Sequence, residues 1–203
     1  MSRREQVAIE AAKLLYSHKV KEYKEAKEVA AANLGNKIMP SNFEVAIELD
    51  RLVEDREGSK RLSMLVDMRL KALEIMKKLK EYNPILIGSV WRGTSRKGSD
   101  IDIIVYHNNP KDISNKLLDY QMIQVEEKSF ILNGLPRTST HIQLITDKFT
   151  VEIIVRPPRD IEHYKDERCE IYGDLKKGLN LQELERLIEL DPLRRFIPKR
   201  RIK

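Results

Sequence analysis

The 203-residue chain predicts a mixed α/β fold, with a helical N-terminal part followed by an α/β core. Two observations carry this. Residues 1–82 are rich in helix formers with apolar side chains at helical spacing, whereas from Ile85 the texture changes to short β-branched runs. The length suits one domain of ordinary size with an extension, long enough to bury a real core. The expected boundaries are 1–82 for the helical extension, 83–160 for the core, and 161–203 for a C-terminal helical segment ending in a basic tail.

Element by element, residues 3–34 combine Ala, Glu, Lys and Leu and predict one helix that stops at Gly35-Asn36. Ser41 followed by Glu44 is a capping-box signature, so a helix is expected over 42–56, ended by Gly58. Another, over 59–81, carries Leu62, Leu65, Met68, Leu73, Ile75, Met76 and Leu79 at helical spacing and terminates at Asn83-Pro84. Strands are expected over 85–88, 101–106, 122–128, 141–146 and 149–155. Asn109-Pro110 reads as a cap and first-turn proline for a helix through Tyr120. Asp147-Lys148 is short enough for a hairpin turn, which makes the last two strands antiparallel neighbours. Beyond Pro157-Pro158 the sheet is expected to be finished, and Asn180 with Glu183 caps a final helix over 181–190.

The formal net charge is +6, from 38 basic and 32 acidic residues. A surface so densely charged in both signs suits a polyanionic substrate without demanding one. Much of the excess sits in PLRRFIPKRRIK, where Arg194, Arg195, Lys199, Arg200 and Arg201 read either as contacts to an RNA backbone or as a solvated tail. There is no apolar run of eighteen residues, and MSRREQVAIEAAK lacks the apolar stretch of a secretory signal, so a cytoplasmic protein away from membranes is expected. The single cysteine, Cys169, has no intramolecular disulfide partner and no metal-finger spacing around it; packing is its expected role.

Chemistry concentrates in ILIGSVWRGTSRKGSDIDIIVY, residues 85–106. Asp100 and Asp102 are two apart on an expected strand, so their carboxylates share a face while Ile101, Ile103 and Val105 anchor the other. Two anions held so close call for a cation, and oxygen-only ligands select Mg²⁺ or Mn²⁺. Upstream, Gly88-Ser89 closes a strand, where glycine lets a phosphate approach the backbone and serine adds a hydroxyl and an N–H. Arg92, Arg96 and Lys97 lie between and suit phosphate oxygens. A P-loop fails as an account: Gly88 and Gly93 are correctly spaced, but Thr94-Ser95 stands where Lys and then Ser or Thr are required.

Gly88-Ser89, ten residues, then Asp100-Ile101-Asp102 resembles the signature of the DNA polymerase beta-like nucleotidyltransferase superfamily. The stretch GSVWRGTSRKGSDIDI is also similar to the first motif of the archaeal class of CCA-adding tRNA nucleotidyltransferases. The whole chain resembles small archaeal predicted nucleotidyltransferases with a helical N-terminal extension and an ending like DPLRRFIP. The superfamily pattern calls for a third carboxylate on a later strand. Glu152 in FTVEIIVRP is the one acid within an expected apolar strand, whereas Asp147 lies in the turn. The superfamily more often has Asp there.

The resemblance implies a polymerase-beta-like core with a mixed sheet and metal-dependent transfer of an NMP from an NTP to a hydroxyl of RNA or tRNA, protein or a small molecule. It further implies two Mg²⁺ or Mn²⁺ ions on Asp100, Asp102 and Glu152. Gly88 and Ser89 would then hold the β- and γ-phosphates, with Arg92 or Arg96 offsetting charge on the leaving group. A complete CCA-adding enzyme is disfavoured, since about fifty residues remain after Glu152. Two alternatives stay open: a catalytically idle relative that binds nucleotide or nucleic acid, and an interaction module of the toxin–antitoxin kind, with a protein partner or a second copy. Trp91 reads as packing, and His107 and His141 as exposed strand ends.

Overall fold

The Ala- and Glu-rich N-terminus folds as two helices rather than one: α1 (Arg3–Tyr16) and α2 (Tyr23–Asn33). The chain breaks over residues 17–22, with His18 at φ 54°, although no proline or glycine stands there. Turning back lets Val7, Ala8, Ala11 and Leu15 of α1 meet Ala26 and Ala30 of α2, and Val45, Leu49 and Val53 of α3 (Asn42–Glu57), in one buried cluster. Tertiary burial outweighs the local preference for a continuous helix. The Ser41–Glu44 capping box forms as expected, and Gly58 at φ 52° ends α3.

The computed structural model describes residues 1–132, 134–164 and 167–199. Arg200 and Arg201 of the basic tail lie outside the described residues. Contacts divide the chain into two compact units. One holds Met1–Arg61, Arg168–Asp174 and the residues from Ile197; the other holds Leu62–Glu167 and Leu175–Phe196. Among the described residues no helix is long and apolar enough to cross a membrane.

The second unit is built on a six-stranded mixed sheet, so the fold class is mixed α/β as expected. Its strands are β1 (Ile85–Ile87), β2 (Ile101–Tyr106), β3 (Gln121–Leu132), β4 (Leu135–Ile145), β5 (Thr150–Arg156) and β6 (Leu179–Asn180), in the order β3-β4-β5-β2-β1-β6. Only β2 and β5 run parallel; the other neighbours are antiparallel. The expectation that the sheet ends at Pro157-Pro158 is corrected by β6, which pairs Leu179 with Leu86 at the edge. β3 and β4 are longer than expected, because residues 129–132 pair with 135–138 beyond the expected strand ends, a hairpin set by cross-strand register.

Among the described residues five helices flank these strands. α4 (Ser59–Lys78) leads into the sheet through a 3₁₀ turn at Lys80–Tyr82 and left-handed Asn83. The short α5 (Gly88–Arg92) follows β1 directly, so the first strand ends one residue early. α6 (Pro110–Lys116) starts on the Asn109 cap and first-turn proline as expected but stops before Tyr120. After α7 (Ile161–Tyr164), α8 (Leu181–Leu190) carries the expected Asn180–Glu183 capping box.

One sheet face is the core. Ile101, Ile103, Val105, Val151, Ile153, Val155, Ile142 and Leu144 pack with Met68, Ala72, Ile75 and Met76 of α4, Ile113 of α6 and Leu184 and Leu187 of α8. Each fully buried aliphatic side chain contributes roughly 2 kcal/mol. The strand pleat then sends Asp102, Ile104 and Tyr106, with Glu152, Ile154 and Arg156, to the opposite face.

Candidate active site

Adjacent parallel strands set the site. Asp102 of β2 lies opposite Glu152 of β5, and Gln143 of β4 lies opposite Glu152 on its other side. Neighbouring strands are about 5 Å apart, so the two carboxylates share one patch. Asp100 is exposed and falls just before β2 rather than within it, because the strand begins at Ile101. Its charge still reaches Asp102. Burial first, then Glu152 and Asp100, push the Asp102 carboxyl up to about 8. Among the described residues no donor or cation is paired with Asp102.

Gly88 explains why the two halves of the motif belong together. It stands at φ 70°, and a Cβ there would overlap the Asp102 carboxylate, lying 3.0 Å from its Cγ. Only a residue without a side chain lets α5 begin against Asp102. Ser89 follows on α5 and its carbonyl accepts the Thr94 amide at 2.9 Å. The loop then closes a tight turn, with the Arg96 amide donating to Ser99 Oγ at 3.0 Å and the Ser99 amide to the Arg96 carbonyl at 2.9 Å. Arg96 is half-buried and Lys97 exposed.

Arg92 goes elsewhere. Its side chain is 5 % exposed, its guanidinium stacks 4.4 Å from the Trp91 ring, and it donates to the Phe196 carbonyl at 3.0 Å. Trp91 is buried in the core, as expected of a packing residue. Arg69 of α4 holds the same region from beneath. Completely buried, it donates to the carbonyls of Val90 (3.2 Å), Trp91 (2.9 Å), Pro192 (2.6 Å) and Arg194 (2.9 Å). Burial lowers its pKa to about 10, against the opposing pull of Asp191, so it remains a cation at neutral pH.

Three residues that the sequence did not single out as site components surround Glu152. His141 Nδ1 lies 2.9 Å from Glu152 Oε1, Ser139 Oγ lies 2.9 Å from His141 Nε2, and Lys128 Nζ lies 3.3 Å from the same Glu152 oxygen. His141 is therefore not an exposed strand end: its side chain is 12 % exposed, because β4 begins six residues earlier than expected. His107 is half-buried, 2.7 Å from Asp112, with its ring tilted against that of Tyr82 at 4.9 Å between centroids. The signal for Lys128 and Ser139 was alternation along β3 and β4, visible only once their register is known.

Among the described residues no three His, Cys, Asp or Glu side chains are gathered into a ready-made metal shell. The donor set nevertheless fits a hard divalent cation. Mg²⁺ is held by one or two carboxylates plus substrate phosphates rather than by an all-protein cage, and Asp102 is an unpaired carboxylate beside two others. Among the described residues, two open clefts are lined by none of these side chains. One, of about 320 Å³, lies beside Phe43 and Ile47; the other, of about 360 Å³, lies beside Leu187 and Phe196.

The family model described as Domain of unknown function (DUF4269) matches residues 68–170, just over half of the chain. The chain belongs to this family. The matched span contains Gly88, Asp100, Asp102 and Glu152, together with Lys128, Ser139 and His141. No curated protein matches the chain. Among solved structures, Cid1 in complex with the UTP analog UMPNPP is similar at 20% identity and a TM-score of 0.28, over 56% of this chain and 33% of that one. The chain thus spans about a third of the Cid1 chain, and at this TM-score the likeness carries no weight for function.

Proposed function

We propose that this DUF4269 protein is a metal-dependent nucleotidyltransferase that moves a nucleoside monophosphate from an NTP to a hydroxyl acceptor. One observation supports this best: Gly88 presses on Asp102, which lies opposite Glu152, so Gly-Ser, Asp-x-Asp and a third carboxylate meet on one face of the sheet. Asp100 and Asp102 are the residues to hold Mg²⁺ or Mn²⁺. Bound there, the ion would neutralise triphosphate charge and lower the pKa of the acceptor hydroxyl.

The chain's own residues position the rest. Gly88 and Ser89 are the residues to hold the β- and γ-phosphates, beside the Asp102 carboxylate that Gly88 allows to approach its backbone. Arg96 and Lys97 supply basic charge from the adjoining loop. Arg92, through the Phe196 carbonyl and the Trp91 ring, keeps that loop in place. The acceptor oxygen bonds to the α-phosphorus, the α–β bridge breaks, pyrophosphate leaves, and the hydroxyl proton passes to solvent or a neighbouring carboxylate. Positioning and charge neutralisation are most of what such transfers require.

The second reading is a nucleotide-binding relative that does not transfer, favoured by the engagement of Glu152 with Lys128 and His141. Incubation with each α-³²P-labelled NTP and Mg²⁺ or Mn²⁺, offering RNA, protein extract and small hydroxyl compounds, separates the two. The expected result is label on one acceptor class, absent with Asp100→Ala/Asp102→Ala. Metal-dependent NTP binding with no transfer to any class would establish the second reading instead.

A further inference from the structure

We propose that Glu152 is the fixed anionic partner of Lys128 rather than a ligand of a second metal ion, so that the site takes one divalent cation, on Asp100 and Asp102. This rests on the nucleotidyl-transfer reading and departs from the two-ion arrangement that the superfamily resemblance implies.

The register of three strands creates the arrangement. Lys128 of β3 lies opposite Ser139 of β4, His141 opposite both Glu126 and Ile154, and Gln143 opposite Glu152. Lys128, Glu126, Ser139, His141 and Glu152 therefore project from the face that carries Asp102. Lys128 Nζ is clamped between Glu126 Oε1 at 2.9 Å and Glu152 Oε1 at 3.3 Å. The same Glu152 oxygen also meets His141 Nδ1 at 2.9 Å, and His141 is itself fixed through Nε2 by Ser139 Oγ.

A divalent ion on Glu152 Oε1 would have to displace both partners and then sit within a few ångströms of an ammonium. Like charges at that range repel strongly in a partly dry site. Lys128 keeps its charge: the hydrogen bond to Glu126 first, then Glu152, hold it above the ordinary lysine range against the opposing effect of burial. Asp102 has no such partner. The two halves of the site are consequently unlike, one carboxylate already engaged by a cation of the protein and the other awaiting one. A compact ammonium held by two carboxylates supplies the second positive charge that a two-ion site draws from metal.

The test counts Mn²⁺ bound by the 203-residue protein, using the electron paramagnetic resonance signal of free Mn²⁺ alongside calorimetry. Wild type is expected to bind one Mn²⁺ per chain, Lys128→Met two, and Glu152→Gln one. Lys128 lies on an edge strand with its side chain 44 % exposed, so its substitution leaves the core intact. Circular dichroism of each variant checks this. Two Mn²⁺ in wild type, or one in Lys128→Met, would overturn the inference while leaving the transferase reading in place. No Mn²⁺ in wild type would overturn the inference, and the labelled-NTP transfer assay then decides the transferase reading separately.

Discussion

Gly88 sits so close to Asp102 that a methyl group in place of its hydrogen would overlap the carboxylate. Gly88→Ala is strained twice, by φ 70° and by this overlap, and is expected to cost roughly 2–3 kcal/mol of stability and most of the Mn²⁺ affinity. Gly35→Ala is the control. Gly35 has a similar φ of 57° with nothing within 4 Å of its added Cβ, so it should lose only about 1 kcal/mol and leave Mn²⁺ binding unchanged. Urea unfolding and Mn²⁺ calorimetry on both variants check the contrast; equal effects on metal binding would break the link between Gly88 and Asp102.

Asp102 is an uncompensated carboxylate, crowded by Glu152 and Asp100. Asp102→Asn keeps the shape and removes the repulsion, so the metal-free variant should melt about 2–4 °C above wild type, corresponding to roughly 1 kcal/mol. Added Mn²⁺ should raise the Tm of wild type and leave the variant unmoved. Thermal melts with EDTA and with Mn²⁺ measure both. A variant less stable than wild type in EDTA would mean that Asp102 is satisfied without a cation.

Arg69 gives four carbonyls their hydrogen-bond donors from a fully buried position. Arg69→Met fills similar volume but removes those donors, and should lower stability by roughly 3 kcal/mol. Arg69→Lys should recover little, because an ammonium lacks the planar fork that reaches Val90 and Trp91 together with Pro192 and Arg194. Urea midpoints of the two variants decide it.

In the first unit, Glu44 closes the capping box of α3 and accepts two hydrogen bonds from Arg4, at 2.7 and 2.9 Å. Burial would push its carboxyl up, but the bonds from Arg4 and from the Ser41 hydroxyl and amide outweigh burial and hold it at about 2. The folded pKa lies below the unfolded value of 4.5, so this stabilisation is fully present above pH 4.5 and is lost as the pH falls through about 2. Because Glu44 is 40 % exposed, its contribution is discounted to about 1 kcal/mol. Melts of wild type and Glu44→Gln should differ at pH 7 and converge near pH 2; a constant difference would contradict the assignment.

What was legible in the sequence was local chemistry. Ser41 with Glu44 and Asn180 with Glu183 announce helix starts within four residues, Asp147-Lys148 marks a hairpin, and Asp102 and Glu152 stand out as acids in apolar strands. The remainder depended on distant partners. The break at His18 follows from burial of alanines between helices. The outer part of the β3–β4 hairpin is set by pairing across strands rather than by either run alone, which hid Ser139 and moved His141 from a strand end to the site face. The covering of Arg92 depends on Phe196, more than a hundred residues away.

The most direct test of the central claim compares NTPs labelled at the α- and γ-phosphates, incubated with the protein and Mg²⁺ or Mn²⁺ and the acceptor that takes label. Asp102 opposite Glu152 in a nucleotidyl-transfer site predicts that α-label passes to the acceptor while γ-label leaves as pyrophosphate, and that Asp102→Asn abolishes both. Transfer of γ-label to the acceptor, or α-label transfer that survives Asp102→Asn, would contradict the account.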